Sequence, residues 1–308
     1  EKAPRWLSTD LRDGNQALID PMGAEKKNRF FDLLLKVGVK EIEVGFPASG
    51  ATDFDFISGL VKSGRIPSDV TPQVLTQSRR DLIETTFASL EGAETAIVHV
   101  YNAVSPAWRR IVFGMTRDEI KQIAIEGAKV MRDQAAKYHG TKWQFEYSPE
   151  TFSTAEVDFS VEVCAAVMDV LQPTADNPII FNLPATVECA TPNVYADQVE
   201  LFSRSIPNRD RVVISLHTHN DRGTGTAAAE LALIDAGGSG VTLITKDTLG
   251  TAEGATAAAQ QALNEGAQLI IGPLLGSEVQ AVAPMAQAKK VPVVAFSSSS
   301  AVAGNGVY

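Results

Sequence analysis

Cysteine is scarce: Cys164 and Cys189 are the two thiols in 308 residues. With no CxxC or similar spacing they supply neither a disulfide framework nor a cysteine zinc site, and they read as two buried, reduced thiols. An excess of basic residues is lacking as well. Lys and Arg number 27 against 37 Asp and Glu, a net charge of −10. That argues against a nucleic-acid partner, which calls for a basic footprint. It leaves a small anionic substrate open, because local charge can oppose the global sign. No apolar run is long enough to span a bilayer, so no membrane partner is expected. The first residues, EKAPRW, hold neither an initiator Met nor a signal-peptide apolar region, and they read as a start inside a longer, cytoplasmic parent.

What is present is an alternation of short apolar runs with longer helical patterns. Strands are predicted at Arg5–Leu11, Glu41–Phe46, Pro72–Leu75, Ala96–Tyr101, Trp143–Tyr147, Ile179–Leu183 and Val212–Leu216. Between them, Ala24–Val37 places Phe30, Phe31, Leu34 and Leu35 on one face at the helical period, and 118–137 and 155–171 read similarly. Repeated strand–helix units imply a parallel sheet with helical crossovers, and seven in a row favour a TIM-type (β/α)8-like barrel. Chemistry then belongs just past the C-terminal ends of the strands. Arg12, Asp13, Glu150, Thr186, His217 and His219 all fall there.

From about residue 227 the composition turns to Ala, Gly and Ser. Three more strands are predicted, Val241–Thr245, Gln268–Ile271 and Val291–Phe296, separated by helices at Ala252–Asn264 and Glu278–Lys289. Ten strands are two more than a closed barrel needs, which points to a composite chain.

Two motifs carry chemistry. In His217-Thr218-His219, residues two apart on a strand point to one face, so both imidazoles can converge on a metal. Alone, such a pair is as often two hydrogen-bonded histidines. Here Asn220-Asp221-Arg222-Gly223 follows at the strand end, and Asp13 waits at the end of another strand. In Leu11-Arg12-Asp13-Gly14-Asn15-Gln16, the carboxylate can ligate a hard or borderline cation, and the guanidinium can hold a carboxylate or a developing oxyanion. Alone, that segment reads as a surface ion pair. Two imidazoles and a carboxylate suit Zn2+, Mn2+ or Mg2+ in descending order of softness.

LRDGNQ and LHTHNDRG, together with EVGFP (43–47), HVYN (99–102), EYSPETFS (146–153) and NLPATVE (182–188), make residues 1 to about 230 resemble the α-isopropylmalate synthase family. The resemblance implies a metal-dependent Claisen condensation of acetyl-CoA with the 2-oxo acid 2-oxoisovalerate. Carried over position by position, Asp13, His217 and His219 match metal ligands. Arg12 matches a group that stabilises charge on the keto oxygen, and Glu150 and Thr186 match residues that grip the oxo acid. His99 and Ser148 line the same mouth. For His99 a satisfied core histidine is as good a reading as a substrate contact, and His139 reads as solvated.

The family's eighth strand, with its Gly-Asn-Gly loop and Asn ligand, has no counterpart after the seventh unit. Gly304-Asn305-Gly306 stands in unrelated surroundings. Residues 227–308 instead resemble part of one flavodoxin-like lobe of a type I periplasmic binding protein, whose parent is periplasmic. The two resemblances meet around Thr226–Leu233, inside an Ala-rich helix. The expectation is an engineered chimera: synthase-like units 1–7 over residues 1–235, and a periplasmic-type fragment over 236–308 that supplies Val241–Thr245 as eighth strand and Ala252–Asn264 as eighth helix. Turnover is expected to be impaired or absent, with a purely structural hybrid or an amino-acid-binding module as alternatives. An unpaired edge would favour a homodimer. Asp247 could replace the fourth ligand, though a solvated turn carboxylate is the better reading.

Overall fold

In a computed structural model, which describes residues 4–235, 244, 246–295, 297, 302–304, 306 and 307, the strand–helix alternation folds as the pattern implies. Contacts divide the chain into two units, Glu1–Val241 and Thr242–Tyr308.

The first unit strings seven strands and seven helices in alternation: β1 (Leu7–Ser8), α1 (Ala24–Val37), β2 (Glu41–Gly45), α2 (Ala51–Lys62), β3 (Thr71–Gln77), α3 (Arg80–Ser89), β4 (Thr95–Ala103), α4 (Arg117–Lys137), β5 (Lys142–Glu150), α5 (Val157–Leu171), β6 (Ile179–Ala185), α6 (Pro192–Ser205), β7 (Val212–Thr218) and α7 (Gly225–Asp235). All strand pairs are parallel and follow chain order from β1 to β7. A flat sheet of seven strands would put β1 and β7 roughly 29 Å apart at about 4.8 Å per strand. Yet Asp13, just past β1, lies 3.0 Å from His217 on β7. The sheet is therefore curled, as a TIM-type β/α barrel requires.

Side-chain alternation along the strands sorts the two faces. Ile42, Val44, Val98, Val100, Tyr147, Phe181 and Leu183 pack outward against Phe31, Phe56, Phe87, Ile120, Phe159 and Phe202 of the surrounding helices. The alternate positions include Leu75, Ile97 and Ile180 but are mostly polar and also buried: Glu43, Gln73, His99, Glu146, Ser148 and Asn182. Barrel interiors are usually filled by branched aliphatic residues, so this polar filling marks a site rather than a packing solution.

The β4–α4 connection is pinned from both ends. Thr116 and Glu119 close a capping box on α4. The Arg109 guanidinium forms a two-pronged pair with Glu156 at 2.8 and 2.9 Å and lies over the Phe159 ring. Bonding to Arg109 holds the Glu156 carboxylate at about 2, below its ordinary value of 4.5. A depressed carboxylate stabilises the fold above its unfolded pKa, and the contribution fades as pH falls from about 4.5 toward 2. After discounting for solvent screening, Glu156→Gln should cost about 1–2 kcal/mol at pH 7. In urea denaturation the difference between the two chains should shrink at pH 3.

Two expectations need correction, on the first strand and on Cys189, and a third falls outside the described residues. The first strand stops at Ser8, because the amides of Arg12, Asp13 and Gly14 all donate to the Thr9 carbonyl and wind 10–14 into one wide helical turn. Arg12 and Asp13 sit on that turn, past the end of the strand as expected. Nine strands are found among the described residues, and Val241–Thr245, the expected eighth barrel strand, lies outside them except for Ile244, which is not in a strand. Cys164 is buried as expected, but Cys189 is exposed: it follows β6 in the loop, where its Sγ contacts the Ser153 carbonyl.

The second unit holds α8 (Ala252–Asn264), β8 (Ile270–Ile271), α9 (Gly276–Ala288) and β9 (Val293–Val294), with β8 and β9 parallel. Ala255, Ala259, Val279, Val282, Ala286, Val293 and Val307 form its small core. Glu278 is buried, accepting from the Thr248 hydroxyl at 2.8 Å and from the Leu275 amide at 3.1 Å. Among the described residues no helix is long and apolar enough to cross a membrane.

Candidate metal and substrate site

The mouth of the curled sheet gathers groups from both of its edges. His217 and His219 are two residues apart at the end of β7, and their rings lie 5.3 Å apart at 62°. His217 Nε2 is 3.0 Å from Asp13 Oδ2. One ligand atom from each of Asp13, His217 and His219 falls within 4.8 Å of the others, and all three side chains are half-buried. Two imidazoles and a carboxylate bound at about 2.0–2.2 Å would have their ligand atoms at most about 4.4 Å apart, close to the separation found here. Among the described residues it is the one cluster of this kind. The hydrogen bond with His217 holds the Asp13 carboxyl down at about 2, so it stays anionic and ready to ligate at neutral pH.

Arg12 crosses to β2. Its Nε donates to Glu43 Oε2 at 2.8 Å and its Nη1 to Asp13 Oδ1 at 2.9 Å. Burial pulls the guanidinium pKa down, but Glu43 and Asp13 outweigh it and the net shift is upward. Glu43 is fully buried, and burial raises its carboxyl despite Arg12. Its Oε1 has no hydrogen-bond partner among the described residues, an orphaned acceptor 4.0 Å from His99 Nδ1. Sequence reasoning quoted Glu43 within a motif without giving it a role. The available signal was its place beside Glu41 at alternate positions of an otherwise apolar strand, both on the inner face.

The remaining expected residues divide. Glu150 ends β5; burial raises its carboxyl, and among the described residues its side chain makes no hydrogen bond or ion pair, so it is a candidate to accept a proton. Thr186, one residue past β6, accepts from the Thr151 amide at 3.0 Å and keeps its own proton to donate. Ser148 and His99 lie deeper, bonded to each other at 2.7 Å. His99 is buried, with both ring nitrogens near polar partners, which fits the satisfied-histidine reading. His139 is exposed, as expected. Asp247 is exposed and accepts from the Leu249 amide at 2.8 Å, as a turn carboxylate does. Asn305 lies outside the described residues.

A second unanticipated group is Glu188. Its carboxylate accepts from the amides of Arg222 and Thr224 and from the Thr224 hydroxyl, while its own amide donates to Asp221 at 2.8 Å. Residue 188 thereby ties the loop after β6 to the loop after β7, which carries the histidines. That second loop is also tightly docked: a Cβ at Gly225 would stand 2.5 Å from the His219 carbonyl oxygen. Glu188→Ala should weaken zinc binding about 10- to 100-fold, the range for outer groups that orient metal ligands. Competition with a chromophoric chelator would measure it.

Comparison with known proteins fits this geometry. The HMGL-like family model matches residues 3–245, and a periplasmic binding protein model matches 222–307. The two matches overlap across α7. The 2-isopropylmalate synthase of Azotobacter vinelandii is 61% identical over 234 residues, covering 76% of this chain and 42% of that protein. The protein of that name from Pseudomonas fluorescens is 62% identical over 234 residues, with the same coverage. That from Rhodospirillum rubrum is 59% identical, again covering 76% and 42%. The chain thus spans about 42% of the length of these relatives. A curled parallel sheet whose first and seventh strands meet at one Asp and two His, matched over most of its length by a single family model, makes this chain a member of the HMGL-like family, continued at its C-terminus by a stretch similar to periplasmic binding proteins.

Proposed function

We propose that residues 1–235 are units 1–7 of a 2-isopropylmalate synthase barrel that still binds a divalent cation and a 2-oxo acid, and that residues 236–308 are a periplasmic-type fragment joined to it by design. The convergence of Asp13, His217 and His219 carries the reading. These three would hold the cation, zinc first by softness and then manganese or magnesium. Bound there, the cation supplies Lewis acidity toward the keto group of the substrate. The protein's own groups do the rest. Arg12, braced by Glu43, meets negative charge developing on the keto oxygen. Thr186 donates its hydroxyl to the substrate carboxylate. Glu150 is raised toward the range in which a carboxylate can take a proton from the acetyl-CoA methyl group. Ser148 and His99 form the floor. The fold's origin is cytoplasmic.

With 42% of the relatives' length in hand, condensation is expected to be slow or absent, whereas metal and oxo-acid binding rest on residues that are present. Calorimetric titration of 2-oxoisovalerate into the manganese-loaded chain tests the reading, with thiol release from acetyl-CoA measured alongside. Saturable oxo-acid binding with little thiol release is the expected outcome. No binding to the loaded chain would leave the second reading, a purely structural hybrid, which the match of residues 222–307 to the periplasmic model favours.

A further inference from the structure

Beneath Asp13, His217 and His219 lies a chain of buried polar groups, of which Glu146, Gln73 and Asn182 have no part in the proposed chemistry. In the β4–β5 ladder His99 stands opposite Glu146. The Glu146 carboxyl is 3.4 Å from His99 Nδ1, Gln73 Nε2 is 3.5 Å from the same nitrogen, and Glu43 Oε1 is 4.0 Å away. On the other side of the ring, Nε2 is 2.7 Å from Ser148 Oγ, which also accepts from Asn182 Nδ2 at 2.8 Å.

We propose that Glu146 is a positioning residue whose carboxyl, acting through the His99 ring, decides whether the Ser148 hydroxyl donates inward to His99 or outward to a bound 2-oxo acid. The outward half of this statement rests on the substrate reading above, and the inward half does not.

A neutral imidazole carries one N–H, so the proton on one nitrogen fixes the role of the other. If Glu146 is ionised, Nδ1–H donates to it, Nε2 becomes an acceptor, and the Ser148 proton is committed to Nε2. If Glu146 holds a proton, its O–H and the Gln73 amide both aim at Nδ1, which must then accept. Nε2–H donates to Ser148, whose oxygen takes that bond and the one from Asn182. The Ser148 O–H is left to point away from both, along the face that carries Glu150 two residues on.

Charge decides between the two states. Glu43 and Glu146 are both buried beside one ring, and Arg12 commits its Nε to Glu43. The other charged groups that act on Glu146 are Glu41 and Arg5, which pair with each other at 2.7 Å. One guanidinium cannot hold two buried carboxylates ionised, and the proton stays on the one it does not touch. Burial, then repulsion from Glu43 and Glu41, raises the Glu146 carboxyl well above its ordinary range. Burial and the nearby Arg12 hold the His99 ring well below its own, so it stays neutral.

The test is long-range 1H–15N spectroscopy of the full chain with labelled histidine. Only four histidines are present, and H139Q and the H217A/H219A chain assign His99 by elimination. At pH 7 the expected signal is a neutral Nε2–H ring that does not become imidazolium down to pH 5.5. E146Q, whose amide N–H stands in for the carboxylic O–H, should show the same tautomer and lose any change at high pH. A Nδ1–H ring or an imidazolium in the parent chain at pH 7 would overturn the proposal. For the outward half, S148A should bind 2-oxoisovalerate about tenfold more weakly, the worth of one hydrogen bond. Equal affinity would overturn that half. An expected tautomer in a chain that binds no oxo acid would reject the substrate reading while supporting the control of the ring by Glu146.

Discussion

Replacing His217 and His219 together by Ala should abolish metal retention. Outer groups that merely orient ligands are worth about 10- to 100-fold in affinity, so loss of two of three ligands should exceed 100-fold. Elemental analysis after purification and chelator competition would read it. The parent chain should retain near-stoichiometric zinc or manganese, and the variant none. The variant should stay folded, because β7 is half-buried along most of its length and the histidines take no part in the outer apolar core. Metal kept by the variant would mean that the cation binds elsewhere. Metal absent from both chains, even after added zinc or manganese, would mean that three converging ligands do not suffice without a fourth.

The second large effect lies at Arg12. Its bond to the fully buried Glu43 is the one cationic contact that carboxylate has among the described residues. Arg12→Met would leave a buried charge without a partner, a loss of about 3–5 kcal/mol at neutral pH. The pH dependence has a definite sign. Burial already raises the Glu43 carboxyl in the parent chain, and removal of Arg12 raises it further. A carboxyl with a raised folded pKa stabilises the protein fully below its unfolded value, near 4.3, and the contribution is lost as pH rises through the folded value. The deficit of Arg12→Met in urea denaturation should therefore shrink from pH 8 toward pH 4.5. The double variant Arg12→Met/Glu43→Gln should recover most of the loss at pH 7. A deficit independent of pH would show that lost packing of the arginine stem dominates.

Much of this was legible along the chain. Short apolar runs and helical periods give six of the seven strands of the first unit nearly in place. HTH and LRDGNQ point to the three side chains that converge before any coordinates: a period of two on a strand puts His217 and His219 on one face, and the family resemblance adds Asp13. The exceptions are local and physical. The strand predicted through Leu11 ends at Ser8, since three successive amides turn back to one carbonyl, a choice that apolar periodicity does not register. Cys189 is exposed because a loop, not a strand, carries it past β6.

Other features could not be read from order alone. Glu43, Glu146 and Gln73 look like the outward polar residues of ordinary strands until the curl of the sheet turns their face inward. Glu188 gains its role only when two loops, more than thirty residues apart in sequence, come into register. By itself, the sequence determined which residues alternate, where strands and helices fall, and which three side chains could take a metal, because these follow from local period and side-chain chemistry. Only the tertiary structure decided that polar groups are buried on the inner face, that Arg12 is shared between Glu43 and Asp13, and that Glu146 faces His99. Those facts depend on which strands curl together and on the cost of burying two carboxylates beside a single guanidinium.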